Sequence, residues 1–177
     1  GSDQLMIAAR GGRCVRFNEE DARSLGRVSS GVRGISLGEG DEVVGMIAYN
    51  PAAEAASGQT ILVVSEHGYG KRSDPEDYRL TARGSKGVKT LDITDKTGTV
   101  VAIKNVSDEN DLMIITQSGL TIRMPASDIR VMGRATQGVR LINIRENDSI
   151  ASVSVVSRNE EETEPESQEQ NEHKTKD

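Results

Sequence analysis

The sequence is poor in aromatic residues: no tryptophan, one phenylalanine and three tyrosines make up 2% of its 177 residues. Single-stranded nucleic acids bind by stacking their bases on aromatic side chains, so this scarcity argues against such a ligand. Because Cys14 is the single cysteine, an internal disulfide is excluded. No segment approaches the roughly 18 apolar residues of a membrane span, and no secretory signal is recognisable. We expect a cytoplasmic protein without a membrane partner, in which residues 1–4 are a tag remnant and linker.

Acidic side chains are concentrated near the C-terminus. The formal net charge is −6, and residues 157–177 alone carry eight acidic and three basic groups. The other 156 residues carry 20 acidic and 19 basic groups, so the body is nearly neutral and its net charge does not exclude a polyanionic ligand. Because the tail has no apolar residue after Val156, we expect residues 157–177 to be disordered.

Three copies of one unit occupy the body of the chain, at constant offsets of 56 and 51 residues. Each copy begins with an apolar segment, at 5–9, 61–65 and 112–116, that leads into a turn containing Gly12, Gly68 or Gly119. Tight hairpins need the positive φ that glycine supplies, so each copy is predicted to begin with a β-hairpin. Because many positions keep both offsets, the pattern indicates a repeat architecture.

The local patterns predict four strands per unit and little helix. Leu120, Ile122 and Met124 alternate with polar residues, so we expect Arg123 on the opposite, solvent-facing side of this strand. Lys71 occupies an inward position in the second unit, where we expect a bulge or an exposed edge. Third strands are predicted at 35–37, 91–93 and 142–144, fourth strands at 43–47, 100–103 and 150–156, and single helical turns at 18–22, 73–77 and 125–129.

Four-stranded units of this period stack into a radial or solenoid array in which neighbouring sheets cover each other. The predicted fold class is therefore all-β, with repeated four-stranded blades in a propeller-like arc. The predicted domains are a linker (1–4), blade-like repeats (5–50, 61–107 and 108–156), a loop (51–60) and the disordered acidic tail (157–177). An uncovered strand edge at the end of such an arc is expected to permit self-association.

Basic side chains recur at three matched positions in every unit. They are Arg16, Arg27 and Arg33, then Arg72, Arg83 and Lys89, then Arg123, Arg134 and Arg140. A stacking array carries equivalent positions along one surface, so these cations are expected to form a basic track for a polyanion. Duplex phosphates need only cations and backbone amides, and the glycines at 31, 87 and 138 would let the backbone approach them. We predict sequence-tolerant binding of duplex DNA, with Lys71 and Lys86 as further contacts.

No catalytic arrangement emerges from the sequence. His67 is predicted in a hairpin turn and His173 lies in the tail, so neither has a partner for nucleophilic or metal chemistry. Tyr49, Tyr69 and Tyr78 lack the acidic metal site that DNA cleavage requires. We expect a non-catalytic module with no cofactor of its own. A protein-binding scaffold of propeller type is the competing hypothesis, which the four-stranded period and the acidic net charge favour.

Two segments, EHGYGKR at 66–72 and RATQGV at 134–139, resemble a known family. With the units around them, over residues 5–156, they are similar to the C-terminal domain of the A subunit of bacterial DNA gyrase. The resemblance implies a β-pinwheel that wraps duplex DNA around a basic rim, as an accessory domain of an ATP-dependent type II topoisomerase that introduces negative supercoils. It also implies that ATP and Mg²⁺ bind elsewhere in that enzyme. The implied partners are the remainder of the gyrase A subunit together with the gyrase B subunit, near the bacterial nucleoid.

The sequence departs from that family in two ways. The family's full domain has six blades, whereas three are found here, so the resemblance implies a partial domain. The family's Gln-Arg-Arg-Gly-Gly-Arg-Gly box is missing, and its nearest echo at 81–87 keeps Arg83, Gly84, Lys86 and Gly87. Supercoiling is therefore not carried over to this chain. The related domain of topoisomerase IV, which has fewer and more degenerate blades, ranks second.

Overall fold

The computed structural model of the protein describes residues 1–54 and 57–158, which form eleven short strands. The strands are β1 (Gln4–Ala9), β2 (Arg13–Asn18), β3 (Val43–Tyr49), β4 (Thr60–Ser65), β5 (Tyr69–Ser73), β6 (Val88–Lys89), β7 (Val100–Val106), β8 (Asn110–Thr116), β9 (Thr121–Pro125), β10 (Val139–Arg140) and β11 (Ile150–Ser157). The helical elements are α1 (Pro51–Glu54) and three single 3-10 turns, Glu19–Asp21, Pro75–Asp77 and Ala126–Asp128. The all-β class and the three predicted helical turns are confirmed. Most of the predicted acidic tail lies outside the described residues.

Each unit begins with a β-hairpin whose turn depends on a glycine. The hairpins β1–β2, β4–β5 and β8–β9 are antiparallel. Their turn glycines, Gly12, Gly68 and Gly119, have φ values of 87°, 87° and 89°. Residues with a side chain rarely adopt this conformation, so glycine allows the tight reversal at low cost. The predicted hairpins are confirmed.

The fourth strand of a sheet comes from the next unit along the chain. The strand orders are β3-β1-β2-β6, then β10-β5-β4-β7, then β11-β8-β9. By sequence β6 belongs to the second unit, but it pairs with β2 of the first unit, with Val88 opposite Cys14. In the same way β10 of the third unit pairs with β5 of the second, with Val139 opposite Gly70. We call β6 and β10 the exchanged strands, because each belongs to one unit by sequence and completes the sheet of the preceding unit.

The predicted third strands are wrong, because the described residues form no strand at 35–37, 91–93 or 142–144. The exchanged strands lie three residues before the second and third of these segments. Leu91 and Ile142 are buried, and their backbone amides donate to the carbonyls of Gly12 and Gly68, each at 3.4 Å, in the hairpin turns of the preceding unit. Packing against a neighbouring unit explains the apolar pattern. The fourth strands are confirmed as β3, β7 and β11.

Two apolar cores form between neighbouring sheets, on opposite faces of β4. Ile61 and Val63 join the core shared with the first unit, whereas Leu62 and Val64 join the core shared with the third. All four side chains are fully buried, and burial stabilises each by roughly 1.5–3 kcal/mol. Successive strand residues point to opposite faces. The middle sheet is thus covered on both sides, which explains its continuous apolar run.

The exchanged strands lie on the outside of the molecule. β7 packs against both β3 and β11, and these three strands form the sheet edges opposite β6, β10 and β9. We call the surface formed by β6, β10, β9 and the residues beside them the outer edge. Within residues 1–54 and 57–158, no strand pairs with the outer side of β9. No helix in this part of the chain is long and apolar enough to span a membrane.

Candidate nucleic-acid interface

Arg16 is buried between the first two units, although it was predicted to face a ligand. Its side chain is 5% exposed. Its guanidinium donates to the carbonyls of Pro75 (2.8 Å) and Tyr78 (3.0 Å) and pairs with Glu76 at 2.9 Å. These three acceptors belong to the 3-10 turn of the second unit and its flank, which cover the outward face of β2.

Arg72 repeats this arrangement between the second and third units. Its side chain is 3% exposed, and it pairs with Asp108 at 2.5 Å and donates to the carbonyl of Ala126 at 3.2 Å. A buried guanidinium cannot reach a phosphate unless the two units separate. The expectation that Arg16 and Arg72 contact DNA is therefore corrected: they join neighbouring units.

Arg134 holds the backbone of the preceding unit. Its Nε donates to the carbonyl of Asp77 at 2.9 Å, and its Nη1 donates to the carbonyl of Lys89 at 2.8 Å. Arg83 makes the same pair of bonds one unit earlier, at 2.7 and 3.1 Å. Arg27 holds the matching position in the first unit and is exposed. The recurrence of this arginine thus reflects the joining of units at two of its three positions.

Lys71 lies inside the protein on a regular strand, so the expected bulge or exposed edge is wrong. It pairs in register with Val63 and is 0% exposed. Its Nζ donates to the carbonyls of Gly133 (3.0 Å) and Thr136 (2.7 Å) and to that of Arg134. Burial, and then the positive charge of Arg134, lowers the pKa of Lys71 to about 8. The ammonium group therefore fixes the loop that carries Arg134, and Lys71 is too deeply buried to contact DNA as predicted.

Arg123 occupies the position of Arg16 and Arg72 on the last sheet, where no described unit follows. Its side chain is 34% exposed, and its Nε donates to Asp111 at 2.9 Å. Arg158 also pairs with Asp111, at 2.7 Å. Arg158, and then Arg123, holds the pKa of Asp111 below its ordinary value. Arg123 is thus engaged with a carboxylate beside β9.

Two of the three glycines that were expected to let the backbone approach phosphates allow a close approach of protein backbone instead. Gly87 and Gly138 have φ values of 74° and 77°. A Cβ atom on Gly87 would collide with the carbonyl oxygen of Cys14, and one on Gly138 with that of Gly70. Gly31 has a φ of 78° but no atom within 4 Å of the corresponding position. At the two junctions between the described units, glycine therefore lets the backbone of one unit approach the backbone of the preceding unit closely enough for strand exchange.

The remaining predicted cations face solvent. Lys89 and Arg140 stand on the exchanged strands β6 and β10 and are exposed. The Nζ atom of Lys89 pairs with Asp92 at 3.0 Å. The predicted cations that are exposed are Arg27, Arg33, Lys86, Lys89, Arg123 and Arg140, of which Lys89 and Arg123 pair with carboxylates.

Sequence reasoning missed three exposed cations beside these strands. Arg13 lies opposite Lys89 in the sheet register, and its Nη1 donates to the carbonyl of Gly87 at 3.2 Å. Lys96 and Arg145 line a surface pocket of about 260 Å³ next to β10. The matched positions of the other units hold uncharged residues, so a search for recurrent cations passes over all three.

The described residues show no arrangement typical of catalysis. Residues 1–54 and 57–158 contain no group of three or more His, Cys, Asp or Glu side chains that could hold a metal ion. His67 lies in its hairpin turn as predicted, with Nδ1 at 3.2 Å from the carbonyl oxygen of Asp95. Cys14 is buried, which raises the pKa of its thiol to about 12. At neutral pH this thiol is therefore a poor nucleophile.

The exchanged strands and stacked sheets define an all-β repeat domain of propeller type with cations along its outer edge. The family model described as "DNA gyrase C-terminal domain, beta-propeller" matches residues 3–50, 59–107 and 110–157, one match for each unit. The chain belongs to this DNA gyrase C-terminal domain family, and the resemblance inferred from the sequence is confirmed.

Curated relatives agree with this assignment. The chain is 45% identical to the DNA gyrase A subunit of Staphylococcus aureus strain MRSA252 over 162 residues, and 45% identical to that of strain NCTC 8325 over 161 residues. These matches cover 92% and 91% of this chain but 18% of each relative. The chain therefore spans less than a fifth of the length of these proteins.

Two solved structures share the fold. A DNA gyrase A C-terminal domain matches with a TM-score of 0.77 and 27% identity, over 87% of this chain and 50% of that one. The C-terminal domain of a DNA topoisomerase IV matches with a TM-score of 0.79 and 22% identity, over 89% of this chain and 47% of that one. The second likeness concerns the fold alone.

Proposed function

We propose that this chain binds duplex DNA along the outer edge. The supporting observation is that the exchanged strands present Lys89 and Arg140 to solvent, with Arg13, Arg33 and Lys86 also exposed. Cations spaced along one edge can neutralise successive phosphates, which gives an affinity that depends strongly on salt and weakly on base sequence.

The distribution of aromatic side chains favours a double-stranded ligand. Phe17, Tyr49 and Tyr78 are buried, and Tyr69 is partly exposed. Single-stranded binding surfaces use several exposed rings on which successive bases stack. One partly exposed ring offers no such series, whereas contacts with phosphates need no rings.

The family supports a more specific role. We propose that the chain is a non-catalytic accessory domain that wraps DNA for an ATP-dependent type II topoisomerase that introduces negative supercoils. Its partners would be the remainder of the gyrase A subunit together with the gyrase B subunit, in the bacterial cytoplasm, with ATP and Mg²⁺ bound elsewhere. Bending stiff DNA sharply costs about 1–6 kcal/mol, which contacts along the outer edge would have to offset. A topoisomerase IV domain ranks second because that likeness has 22% identity.

A salt titration with matched variants tests the proposal. The double variant K89Q/R140Q removes two cations from the outer edge, whereas R10Q/K104Q removes two elsewhere: Arg10 pairs with Glu42 at 3.3 Å and Lys104 lies on β7. By fluorescence anisotropy with a linear duplex, K89Q/R140Q should reduce the slope of log affinity against log salt by about 0.9, the contribution of Arg140, because Lys89 is already paired with Asp92. The control pair should change the slope by much less.

Equal effects of the two double variants would contradict the outer edge as the contact surface. A flat salt response would contradict DNA binding by phosphate neutralisation altogether. A protein-binding scaffold, the competing hypothesis, would instead show a tight protein partner that is insensitive to K89Q/R140Q.

We also propose that a second copy of the chain can pair with β9. The segment 27–33 corresponds by repeat to the segments that supply β6 and β10, yet residues 21–30 are all exposed and Val28 is 103% exposed. β9 occupies the position of β2 and β5, which receive those strands. By the repeat, segment 27–33 is therefore related to β9 as β6 is related to β2 and β10 to β5.

A further inference from the structure

One pocket on the outer edge is lined by a combination of basic and aromatic residues that the matched positions of the other units do not have. It has a volume of about 260 Å³ and lies between the β4–β5 turn, the loop before β7 and the segment that follows β10. Its basic and aromatic lining residues are His67, Tyr69, Lys96, Arg140 and Arg145. Two arginines and a lysine thus line one pocket together with a partly exposed aromatic ring.

Arg140 is held in place by uncharged groups. Its guanidinium carbon lies 5.5 Å from the centroid of the Tyr69 ring, and its Nη2 donates to the Tyr69 hydroxyl at 3.2 Å. Its Nη1 donates to the amide oxygen of Asn143 at 3.3 Å. Cation–π and neutral hydrogen bonds fix a guanidinium without cancelling its charge. Arg140 is therefore oriented and remains electrostatically available.

The matched cation in the preceding unit is neutralised. Lys89 corresponds to Arg140, but it pairs at 3.0 Å with Asp92, which corresponds to Asn143. Arg13 stands at the position of Tyr69. The site around Lys89 thus has a carboxylate where the site around Arg140 has an amide. It also has an arginine where the site around Arg140 has a tyrosine ring. The chain therefore contains its own comparison site.

Two carboxylates also line the pocket. Asp148 accepts from the backbone amide of Ser118 at 3.0 Å and from its hydroxyl at 2.6 Å. These bonds, with the Ser118 hydroxyl first, lower the pKa of Asp148 to about 2. The Asp148 carboxylate is therefore hydrogen-bonded to the β8–β9 turn. Glu146 is exposed at the margin, so the three cations outnumber the carboxylates.

We propose that this pocket is a seat for one phosphate group, specifically a backbone phosphodiester of bound duplex DNA. The proposal rests on the proposed function, because it assigns one phosphate of the bound duplex to a particular place. Each terminal nitrogen of Arg140 carries a second N–H besides the one donated to Asn143 or Tyr69, so an oriented guanidinium can still donate to phosphate oxygens, which suits a phosphodiester better than a solvated point charge does. Lys96 and Arg145, which also line the pocket, supply further attraction.

The first experiment compares R140Q and K89Q, which remove one cation each from matched positions. With a linear duplex in low salt, R140Q should weaken binding about tenfold, because it removes a charged hydrogen-bonding group. K89Q should weaken binding less than about threefold, because Asp92 already neutralises that lysine. Y69L keeps the net charge but removes the ring, and should weaken binding about as much as R140Q if orientation matters. Equal effects of R140Q and K89Q would overturn the proposal.

The second experiment observes the pocket directly by ¹⁹F NMR of the protein labelled with 3-fluorotyrosine. Tyr49 and Tyr78 are 4% and 1% exposed, so Tyr69 should be the resonance that shifts when duplex is added, and R140Q should abolish the shift. Inorganic phosphate is the second probe. A shift with inorganic phosphate but none with duplex would contradict the phosphodiester assignment.

The two proposals fail in different ways. If anisotropy shows salt-dependent duplex binding while the Tyr69 resonance stays unchanged at saturation, the seat is wrong and DNA binding stands. If anisotropy shows no binding at any salt concentration, the proposed function itself is wrong. Far-ultraviolet circular dichroism of Y69L and R140Q checks that both variants fold, and Y69F, which keeps the ring, should retain most of the affinity.

Discussion

The Nη1 atom of Arg134 donates to the backbone carbonyl of Lys89 at 2.8 Å, while the Lys89 side chain faces solvent on the exchanged strand β6. An arginine of the third unit thus supports a strand that the second unit adds to the first sheet. The two cations recur in the repeat for different reasons. Arg134 joins units, whereas Lys89 stands on the exposed surface and pairs with Asp92.

Replacing Arg134 should therefore reduce stability more than replacing its exposed counterpart does. R134M removes two hydrogen bonds from a charged group to backbone carbonyls, and we expect a loss of about 2 kcal/mol in the free energy of unfolding. R27M changes the matched residue of the first unit, which is exposed, and should cost less than about 0.5 kcal/mol. Urea unfolding followed by circular dichroism measures both. Similar losses for the two variants would contradict the role assigned to Arg134.

Lys71 should make stability depend on pH above neutrality. Its pKa is about 8 in the folded protein against an ordinary value of 10.5. Between these values the unfolded chain binds more protons than the folded chain, so the free energy of unfolding rises with pH in this window. Relative to K71M, the wild-type protein should gain on the order of 2 kcal/mol between pH 8 and 10.5.

The difference between the wild-type protein and K71M isolates this effect. Burial also raises the pKa of Cys14 and of Tyr78, and both shifts reduce stability as pH rises, equally in the two proteins. Parallel stability curves for the wild-type protein and K71M, measured by urea unfolding at several pH values, would show that Lys71 keeps an ordinary pKa.

The proposed pairing of segment 27–33 with β9 of a second copy predicts which residues of the two chains lie opposite each other. By the repeat, Val32 matches Val88, and Thr121 matches Cys14, which lies opposite Val88 in β2. Opposite residues of paired strands are close enough for a disulfide. In a C14S background, V32C/T121C should therefore form covalent dimers or larger species on oxidation. We would detect them by non-reducing electrophoresis, alongside light scattering of the reduced protein at several concentrations.

The matched control shifts the register by one residue. V32C/I122C places the second thiol on the opposite face of β9, since successive residues of a strand alternate, and should cross-link poorly. Comparable cross-linking by both variants would indicate random collision, and a monomer that forms no cross-link would exclude pairing at β9.

The strand-exchange glycine should control access to the buried thiol. Cys14 is 1% exposed and should react slowly with a disulfide reagent until the protein unfolds. G87A would push a methyl group against the carbonyl oxygen of Cys14, and should speed the labelling. Gly31 has a similar left-handed φ, 78° against 74° for Gly87, but a methyl group in G31A meets no atom within 4 Å. Equal labelling rates in G87A and G31A would contradict the importance of close approach.

Much of the fold follows from local patterns. The hairpins were predictable because a glycine between two short alternating apolar segments is typical of a tight hairpin turn. The inner strands β3, β7 and β11 were predictable from their apolar runs. The exchange of β6 and β10 was not, because an internal repeat gives the period of a unit and leaves open which sheet each strand joins. Ile142 shows the difficulty: its burial reflects a contact with the preceding unit.

The candidate site was less predictable than the fold. Recurrence selects any residue that every unit needs, and Arg72 and Arg83 are needed to hold neighbouring units together. Lys71 was misjudged because a lysine in an apolar position usually signals exposure, whereas here three carbonyls receive its ammonium group. Arg145 was missed for the converse reason, since a residue found in one unit leaves no trace in a comparison of units.

Strand exchange also bears on how the molecule comes apart. Because each exchanged strand is covalently part of one repeat and hydrogen-bonded into another, no repeat can melt alone without stripping its neighbour of a ladder. Cleaving the chain between repeats would leave one fragment with a sheet that lacks its fourth strand, and the other fragment with a strand segment that has no pairing partner. The cooperative folding unit is therefore longer than the period of the sequence.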